Sequence, residues 1–300
     1  MQQIIHLFPL HLREAIKESK VMKQPIEEVR VRMGQPIMVE TSLGEVFIEG
    51  LRTYRITKED MGQMVSYISK CSLYAFEEEI KKGYLTLEGG HRVGLAGQVI
   101  MDGNHVHNIR PITYLNIRVA HQIIGCAKNL VNALNRKNAC GNVLILSAPG
   151  HGKTTILRDV VRLIAERYKV SIIDERSEIA GCYHGIPQND VGMRTDILDG
   201  CPKSVGMMMM VRSMSPDYIA VDEIGSKEDV DAIHFAMNCG CRILATIHCS
   251  NIEELKRKPI WSMEYFPQMF DAYVVLHKTN DKREWMCYNK DLEFLGGGDL

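Results

Sequence analysis

The chain has 300 residues, of which 45% are hydrophobic, and its formal net charge at pH 7 is -1. This length and composition predict a globular protein of about two domains. The near-zero charge provides no overall basic field to attract nucleic acid, which makes nucleic acid an unexpected partner.

The sequence gives no indication of a membrane span or of a secretory signal. No apolar run approaches the ~20 residues that a span needs, and charged residues interrupt the apolar positions of the first 20 residues. We therefore expect a cytoplasmic protein, whose attachment to a membrane would run through partner proteins.

The nine cysteines, in a chain without a signal, are typical of free thiols in a reducing compartment. The tightest group is Cys239, Cys241, His248 and Cys249. Its spacing does not resemble the usual zinc-binding pairs, so we expect small buried thiols beside a strand, with a metal site as the alternative.

The first part of the chain, residues 1–125, predicts a small α+β domain. Met1–Lys23 has the pattern of an amphipathic helix, and Ile26–Gly50 that of two or three strands. Thr57–Asp60 resembles a capping box before a helix, with Asp60 in place of the usual Glu or Gln. Gly83–Ala120 is β-rich, with a hairpin turn at Asp102-Gly103.

The second part, residues 126–300, alternates strands and helices after a connecting helix at Ile123–Arg136. Such alternation predicts an α/β fold with a parallel sheet, whose ligands bind at the carboxyl ends of the strands. A hairpin around Asn280-Asp281 and a loose tail at Gly296–Leu300 complete the prediction. The strands are Val143–Leu146, Val170–Ile173, Tyr218–Val221 and Arg242–Ile247, and the helices are Lys153–Tyr168 and Lys227–Met237.

A phosphate-binding loop is predicted between the first of these strands and its helix. Glycines let backbone N–H groups surround phosphate oxygens, and the helix N-terminus adds a favourable partial charge. Ser147 stands where the pattern expects glycine. The alternative interpretation of the whole segment is a strand–turn–helix link with a surface lysine. The predicted nucleotide-binding residues are Ser147, Ala148, Pro149, Gly150, His151, Gly152, Lys153, Thr154 and Thr155.

Asp222 and Glu223 follow the strand Tyr218–Val221 and are predicted to complete a magnesium and catalytic site. Thr154 and Asp222 are the expected Mg²⁺ ligands, partly through water. Glu223 is the expected general base for an attacking water. Two solvated acids at a strand end are the alternative.

Further candidates lie at neighbouring strand ends. Glu175, beside Asp174 and Arg176, is expected at the γ-phosphate or metal, or else in a structural salt bridge. Thr246 and His248 end the fourth strand and are expected to sense the γ-phosphate. Arg194 and Arg212 are candidates to neutralise transition-state charge, with ordinary ion pairs as the alternative.

Four longer runs carry a family resemblance: Asp174–Gly181, Arg194–Lys203, Arg212–Asp217 and Ile109–Ala120. They resemble the stage III sporulation protein AA family, P-loop ATPases of endospore-forming bacteria related to the traffic ATPases of type II and type IV secretion. The resemblance extends from about Glu27 to His277.

This resemblance implies a RecA-like P-loop ATPase core with a smaller α+β N-terminal domain. It implies a homo-oligomer, as a hexameric ring with nucleotide at the subunit interfaces. Membrane-embedded sporulation or secretion proteins would be the partners. Glu175 would belong to the acidic box of secretion ATPases and His248 to their histidine box, while Arg110 and Arg118 resemble arginines that reach a neighbouring nucleotide.

We therefore interpret the chain as a Mg²⁺-dependent ATPase that binds ATP and energises a transenvelope sporulation complex between mother cell and forespore. One alternative is a nucleic-acid-binding P-loop ATPase. Another is a nucleotide-binding scaffold without significant turnover.

Overall fold

The protein is described by a computed structural model that covers residues 2–69, 77–81, 83–279 and 282–300. It divides into two compact units, Met1–His121 and Gln122–Leu300. The division falls after His121, whereas the sequence analysis placed the domain boundary after residue 125. Among the helices of the described ranges, none is long and apolar enough to cross a membrane.

The N-terminal unit combines helices with an antiparallel sheet. Within the described ranges, its strands are β1 (Ile26–Arg32), β2 (Met38–Thr41), β3 (Gly44–Phe47), β4 (Tyr84–Thr86), β5 (Arg92–Asp102) and β6 (His105–Arg118), and its α-helices are α1 (Leu10–Glu18), α2 (Lys58–Ile68) and α3 (Glu77–Lys81). The strand order is β3-β2-β1-β6-β5-β4. Short 3-10 turns at Gln2–Leu7 and Lys20–Lys23 flank α1, so the predicted N-terminal helix is interrupted.

Local signals in the sequence account for two features of this unit. Asp60 N–H donates to Thr57 Oγ1 (3.1 Å), and Thr57 N–H donates to Asp60 Oδ2 (2.9 Å), so the predicted capping box is confirmed. Two otherwise unpaired N–H groups at the start of α2 are thereby satisfied. Asp102 pairs with His105 across the β5–β6 hairpin, and Gly103 has a positive φ of 57°, which confirms the predicted turn.

The C-terminal unit is an α/β structure. In the described part of this unit the helices are α4 (Lys128–Arg136), α5 (Lys153–Ile164), α6 (Lys203–Met214), α7 (Lys227–Asn238) and α8 (Ile252–Lys256), and the strands are β7 (Val143–Ser147), β8 (Val170–Asp174), β9 (Thr195–Asp199), β10 (Tyr218–Val221), β11 (Arg242–His248), β12 (Ala272–Thr279), β13 (Lys282–Asn289) and β14 (Phe294–Asp299).

The strand order of the C-terminal sheet is β14-β13-β12-β7-β11-β10-β8-β9. All pairs from β12 to β9 are parallel, and β13 and β14 add an antiparallel extension. Alternate residues of β7 enter two separate apolar clusters, one formed with α4 and α5 and the other with α6, α7 and α8. Helices therefore cover both faces, which explains why the central strands are uninterrupted apolar runs.

Three sequence expectations for this unit need correction. The predicted loose tail at Gly296–Leu300 is wrong, because β14 pairs with β13. The backbone there lies so close to Trp285 that a Cβ on Gly297 would come 2.9 Å from the Trp285 carbonyl oxygen. Helix α5 ends at Ile164 rather than Tyr168, and α4 begins at Lys128 rather than Ile123. The hairpin of β12 and β13 is confirmed, while its predicted turn Asn280-Asp281 lies outside the described residues.

Candidate functional site

The loop between β7 and α5 lies at the carboxyl edge of the parallel sheet and has the backbone geometry that suits an anion. Gly150 (φ 74°) and Gly152 (φ 92°) take the left-handed conformation that glycine adopts without strain. Gly152 is the N-cap of α5 and, within the described residues, no side chain caps this helix. The first N–H groups of α5 are thus available to an anion at the helix N-terminus.

Ser147, in place of the expected glycine, is compatible with this loop. It is the last residue of β7, fully buried and in strand conformation, with its backbone opposite His248 of β11. Its hydroxyl donates to the Ala148 carbonyl at 2.9 Å. Because the backbone here is extended, this position does not require glycine's conformational freedom.

The two predicted magnesium ligands are in direct contact. Thr154 Oγ1 donates to Asp222 Oδ2 at 2.5 Å, and the Thr246 hydroxyl donates to Asp222 Oδ1. A hydroxyl beside a carboxylate is a donor set that fits Mg²⁺, which prefers oxygen and keeps several waters. Thr246, at the end of β11, fixes the orientation of the Asp222 carboxylate.

Lys153 lies between Glu223 and His248. Its Nζ is 3.1 Å from His248 Nδ1 and 3.5 Å from Glu223 Oε1, and its side chain is 14% exposed. Arg176 Nη1 contacts the other Glu223 oxygen at 3.5 Å. The structure therefore brings together the predicted phosphate-binding lysine, the predicted base and the histidine that ends β11.

Glu223 itself has a left-handed backbone, with φ 57°, although it is not a glycine. Such a conformation costs roughly 1–3 kcal/mol at a non-glycine residue and persists only where its surroundings impose it. The Glu223 N–H donates to Thr246 Oγ1 at 2.8 Å, which holds the strained residue at the end of β10.

The two acids at the end of β8 have different surroundings. The buried Asp174 carboxylate accepts N–H bonds from Glu178, Ile179 and Ala180 at 2.8–2.9 Å. Burial raises the pKa of Asp174 to about 6, and these bonds oppose the rise. Asp174 thus shapes the loop that follows it, whereas the Glu175 side chain is 39% exposed.

Lys203, the first residue of α6, is a site residue to which the sequence analysis assigned no role. Its Nζ donates to Glu175 Oε2 at 2.5 Å, and its side chain is 13% exposed. Both residues line a polar cavity of about 40 Å³ together with Asp222 and Glu223. The available signal was its position at the end of the run Arg194–Lys203, directly after Pro202.

The four predicted arginines belong to different parts of the chain. Arg212 lies in the last turn of α6, about 14 Å along the helix axis from Lys203 at ~1.5 Å per residue. Arg194 donates to the Glu166 carbonyl, and its predicted role in neutralising transition-state charge stays a prediction. In the N-terminal unit, Arg118 is 60% exposed and pairs with Glu28 at 3.0 Å, and Arg110 is exposed on β6. The roles of Arg110, Arg118 and Arg212 stay predictions.

The cysteine group behaves only partly as predicted. Cys241 and Cys249 are buried, but Cys239 is exposed, because it caps the end of α7 rather than entering a strand. In the residues that the structure describes, no three His, Cys, Asp or Glu side chains are grouped to hold a metal ion.

Comparisons with known proteins agree with this fold. A family model described as "Sporulation stage III, protein AA" matches residues 1–290. Stage III sporulation protein AA of Bacillus subtilis (strain 168) is 41% identical over 286 residues, which cover 93% of this chain and 92% of that protein.

Solved structures show the same architecture at low identity. The ATPase DotB of Legionella pneumophila matches with a TM-score of 0.60 and 16% identity over 95% of this chain and 82% of that one. The pilus retraction motor PilT with bound ADP matches with a TM-score of 0.65 and 16% identity over 91% of this chain and 81% of that one. The C-terminal unit thus has the predicted RecA-like P-loop ATPase fold. Given the family model and the Bacillus subtilis relative, the chain belongs to the stage III sporulation protein AA family.

Proposed function

We propose that the chain is a Mg²⁺-dependent ATPase that energises a transenvelope sporulation complex. The observation that carries this proposal is the 2.5 Å contact between Thr154 and Asp222, beside the cluster of Lys153 and Glu223. Two segments distant in sequence bring together a hydroxyl, a lysine and two carboxylates, and these are the kinds of group that phosphoryl-transfer enzymes use. The fold shared with DotB, an ATPase, and with PilT, a motor with bound ADP, supports the same proposal.

Each residue has a distinct part in this proposal. The N–H groups that follow Gly150 and Gly152 bind phosphate oxygens, and Lys153 contacts the terminal phosphates. Thr154 and Asp222 hold Mg²⁺, which would neutralise the charge that develops on the phosphates. Glu223 accepts a proton from the attacking water, and His248 and Glu175 face the terminal phosphate.

The cellular setting is also a proposal. We infer a cytoplasmic protein that forms a homo-oligomer, as a hexameric ring, and that reaches the membrane through membrane-embedded sporulation proteins. Membership of the sporulation family and the likeness to a pilus motor support this setting.

Two substitutions test the division of labour. Lys153→Ala removes the charge that faces the phosphates, so ATP binding should be lost or greatly weakened. Glu223→Gln keeps the shape but cannot accept the proton, so hydrolysis should fall by about 10²–10⁴-fold while ATP still binds. Calorimetry measures binding, and phosphate release measures turnover, both with and without the membrane partners.

Matched controls come from the exposed start of α7. Lys227→Ala and Glu228→Gln remove the same kinds of charge from exposed side chains that do not line the polar cavity, and they should behave like the parent. Parental hydrolysis by Glu223→Gln would refute the assignment of the base. ATP binding without turnover under every condition would instead favour the nucleotide-binding scaffold.

The ring is tested by mixing two inactive variants, Glu223→Gln and Arg118→Ala. If Arg118 acts on a neighbour's nucleotide, a mixed ring regains some activity, because one interface then has both an intact base and an intact arginine. Arg110→Ala is tested in the same way. Sizing chromatography shows whether mixed rings form. If they form and stay inactive with both arginine variants, neither arginine acts in trans.

A further inference from the structure

The phosphate loop is approached from a second side by the β12–β13 hairpin. Strand β12 is parallel to β7, and Leu276 lies opposite Ser147. Lys278 and its β13 partner Arg283 therefore lie beyond the level of Ser147, at the edge of the sheet that carries the loop.

Arg283 directs its guanidinium at this loop. A Cβ built on Gly152 would lie 3.7 Å from Arg283 Nη1, which is an ordinary van der Waals contact. Across the described ranges of the chain, the Arg283 side chain has neither an ion pair nor a hydrogen bond. It is nevertheless partly buried. A guanidinium has five N–H donors and is costly to bury without an acceptor, so this arrangement is suited to an anion on the loop.

The strand order assigns this cation to a particular part of the nucleotide. Strand β11, which ends at His248, and strand β10, which is followed by Asp222, lie on one side of β7, whereas β12 and β13 lie on the other. Arg283 thus reaches the loop from the side away from Glu223. The groups for hydrolysis surround the terminal phosphate, so the phosphates on the other side of the loop are those that remain after hydrolysis.

We propose that Arg283 is a binding residue for the diphosphate portion of the nucleotide, on which its guanidinium makes charge-assisted hydrogen bonds. The inference rests on the proposed function, since it requires a nucleotide on the loop. The Arg283 contact would be present with both ATP and ADP, whereas Glu223 acts at the terminal phosphate, which only ATP has. Arg283 is therefore expected to control affinity for both nucleotides and to have little influence on the chemical step.

The experiment compares Arg283→Ala, Arg283→Lys and the control Lys282→Ala, whose side chain is exposed on the same strand. Calorimetry with Mg²⁺ measures the Kd for ATP, for ADP and for pyrophosphate, and thermal unfolding confirms that each variant is folded. Loss of a hydrogen bond to a charged group predicts that Arg283→Ala raises all three Kd values by about 10–100-fold. Arg283→Lys should show a smaller rise, and Lys282→Ala should match the parent.

The turnover rate shows whether Arg283 acts in binding or in the chemical step. At saturating ATP, kcat of Arg283→Ala should stay within about threefold of the parent, less than 1 kcal/mol. Unchanged ADP affinity in a folded Arg283→Ala would overturn the inference. So would a loss confined to ADP and ATP with pyrophosphate unaffected, because the contact would then be to the base or ribose. If the unaltered chain binds neither ATP nor ADP, the proposed function fails, and the inference fails with it.

Discussion

The packing of α6 against the sheet permits a quantitative prediction at Gly206. A Cβ added there would lie 2.6 Å from Ile173 Cγ2 and 3.2 Å from Leu198 Cδ2. Ile173 is 1% exposed and β-branched, so its methyl group cannot rotate away easily. Gly206→Ala should therefore push α6 away from β8.

Two effects of opposite sign decide the stability of this variant. Replacing glycine by alanine within a helix stabilises it by about 1 kcal/mol. Overpacking a well-packed core costs typically 1–3 kcal/mol. Since the nearest contact is far below van der Waals distance, overpacking should exceed the helix gain, with a net loss of up to about 2 kcal/mol.

Urea denaturation measures the free energy of unfolding, with Gly62→Ala as the matched control. Gly62 also lies within a helix, α2, but nothing lies within 4 Å of its added Cβ, so this variant should gain about 1 kcal/mol. Displacement of α6 should also loosen the contact of Lys203 with Glu175 and lower turnover. If Gly206→Ala is stabilised as much as Gly62→Ala, the argument from close packing is refuted.

Two further predictions concern residues at the ends of β7 and β8. Ser147→Gly removes the hydrogen bond to the Ala148 carbonyl and places a flexible residue in a strand, so the free energy of unfolding in urea should fall by about 1–2 kcal/mol. The affinity for ADP should stay within about threefold of the parent. A tenfold weaker affinity would mean that the hydroxyl contacts the nucleotide. Burial raises the pKa of Asp174 from 3.8 to about 6, so the folded chain binds this proton more tightly than the unfolded chain. The contribution of Asp174 to stability is therefore full below about pH 4 and should fall by on the order of 3 kcal/mol as pH rises through 6, relative to Asp174→Asn. A stability difference between these two proteins that is constant from pH 4 to pH 7 would contradict this reasoning.

Elements with strong local signals were predictable from the sequence. The apolar run before the glycine loop predicted β7, and the Thr57 capping box predicted the start of α2. Asp222 could be placed at the edge with the phosphate loop because parallel strands share their carboxyl edge. These predictions needed only residues close together in the chain and one rule of topology.

Other elements depend on partners that the sequence does not reveal. Strand β9 contains Asp196 and Asp199, which disfavour strands, and it forms by pairing with β8. Strand β14 contains three glycines, and the backbone of two of them, Gly297 and Gly298, packs closely on Trp285. The pairing of Lys203 with Glu175 likewise requires α6 to begin beside the end of β8, which no local pattern specifies.

The position of Lys153 between His248 and Glu223 has a consequence for affinity. Any phosphate that reaches the lysine must first replace these two contacts, so the affinity measured for a nucleotide is a difference between competing partners. Glu223→Gln removes the charged competitor as well as the base. Such a variant should hold ATP more tightly than the parent, because Lys153 has lost its charged competitor, while the fit of the nucleotide in the loop is unchanged.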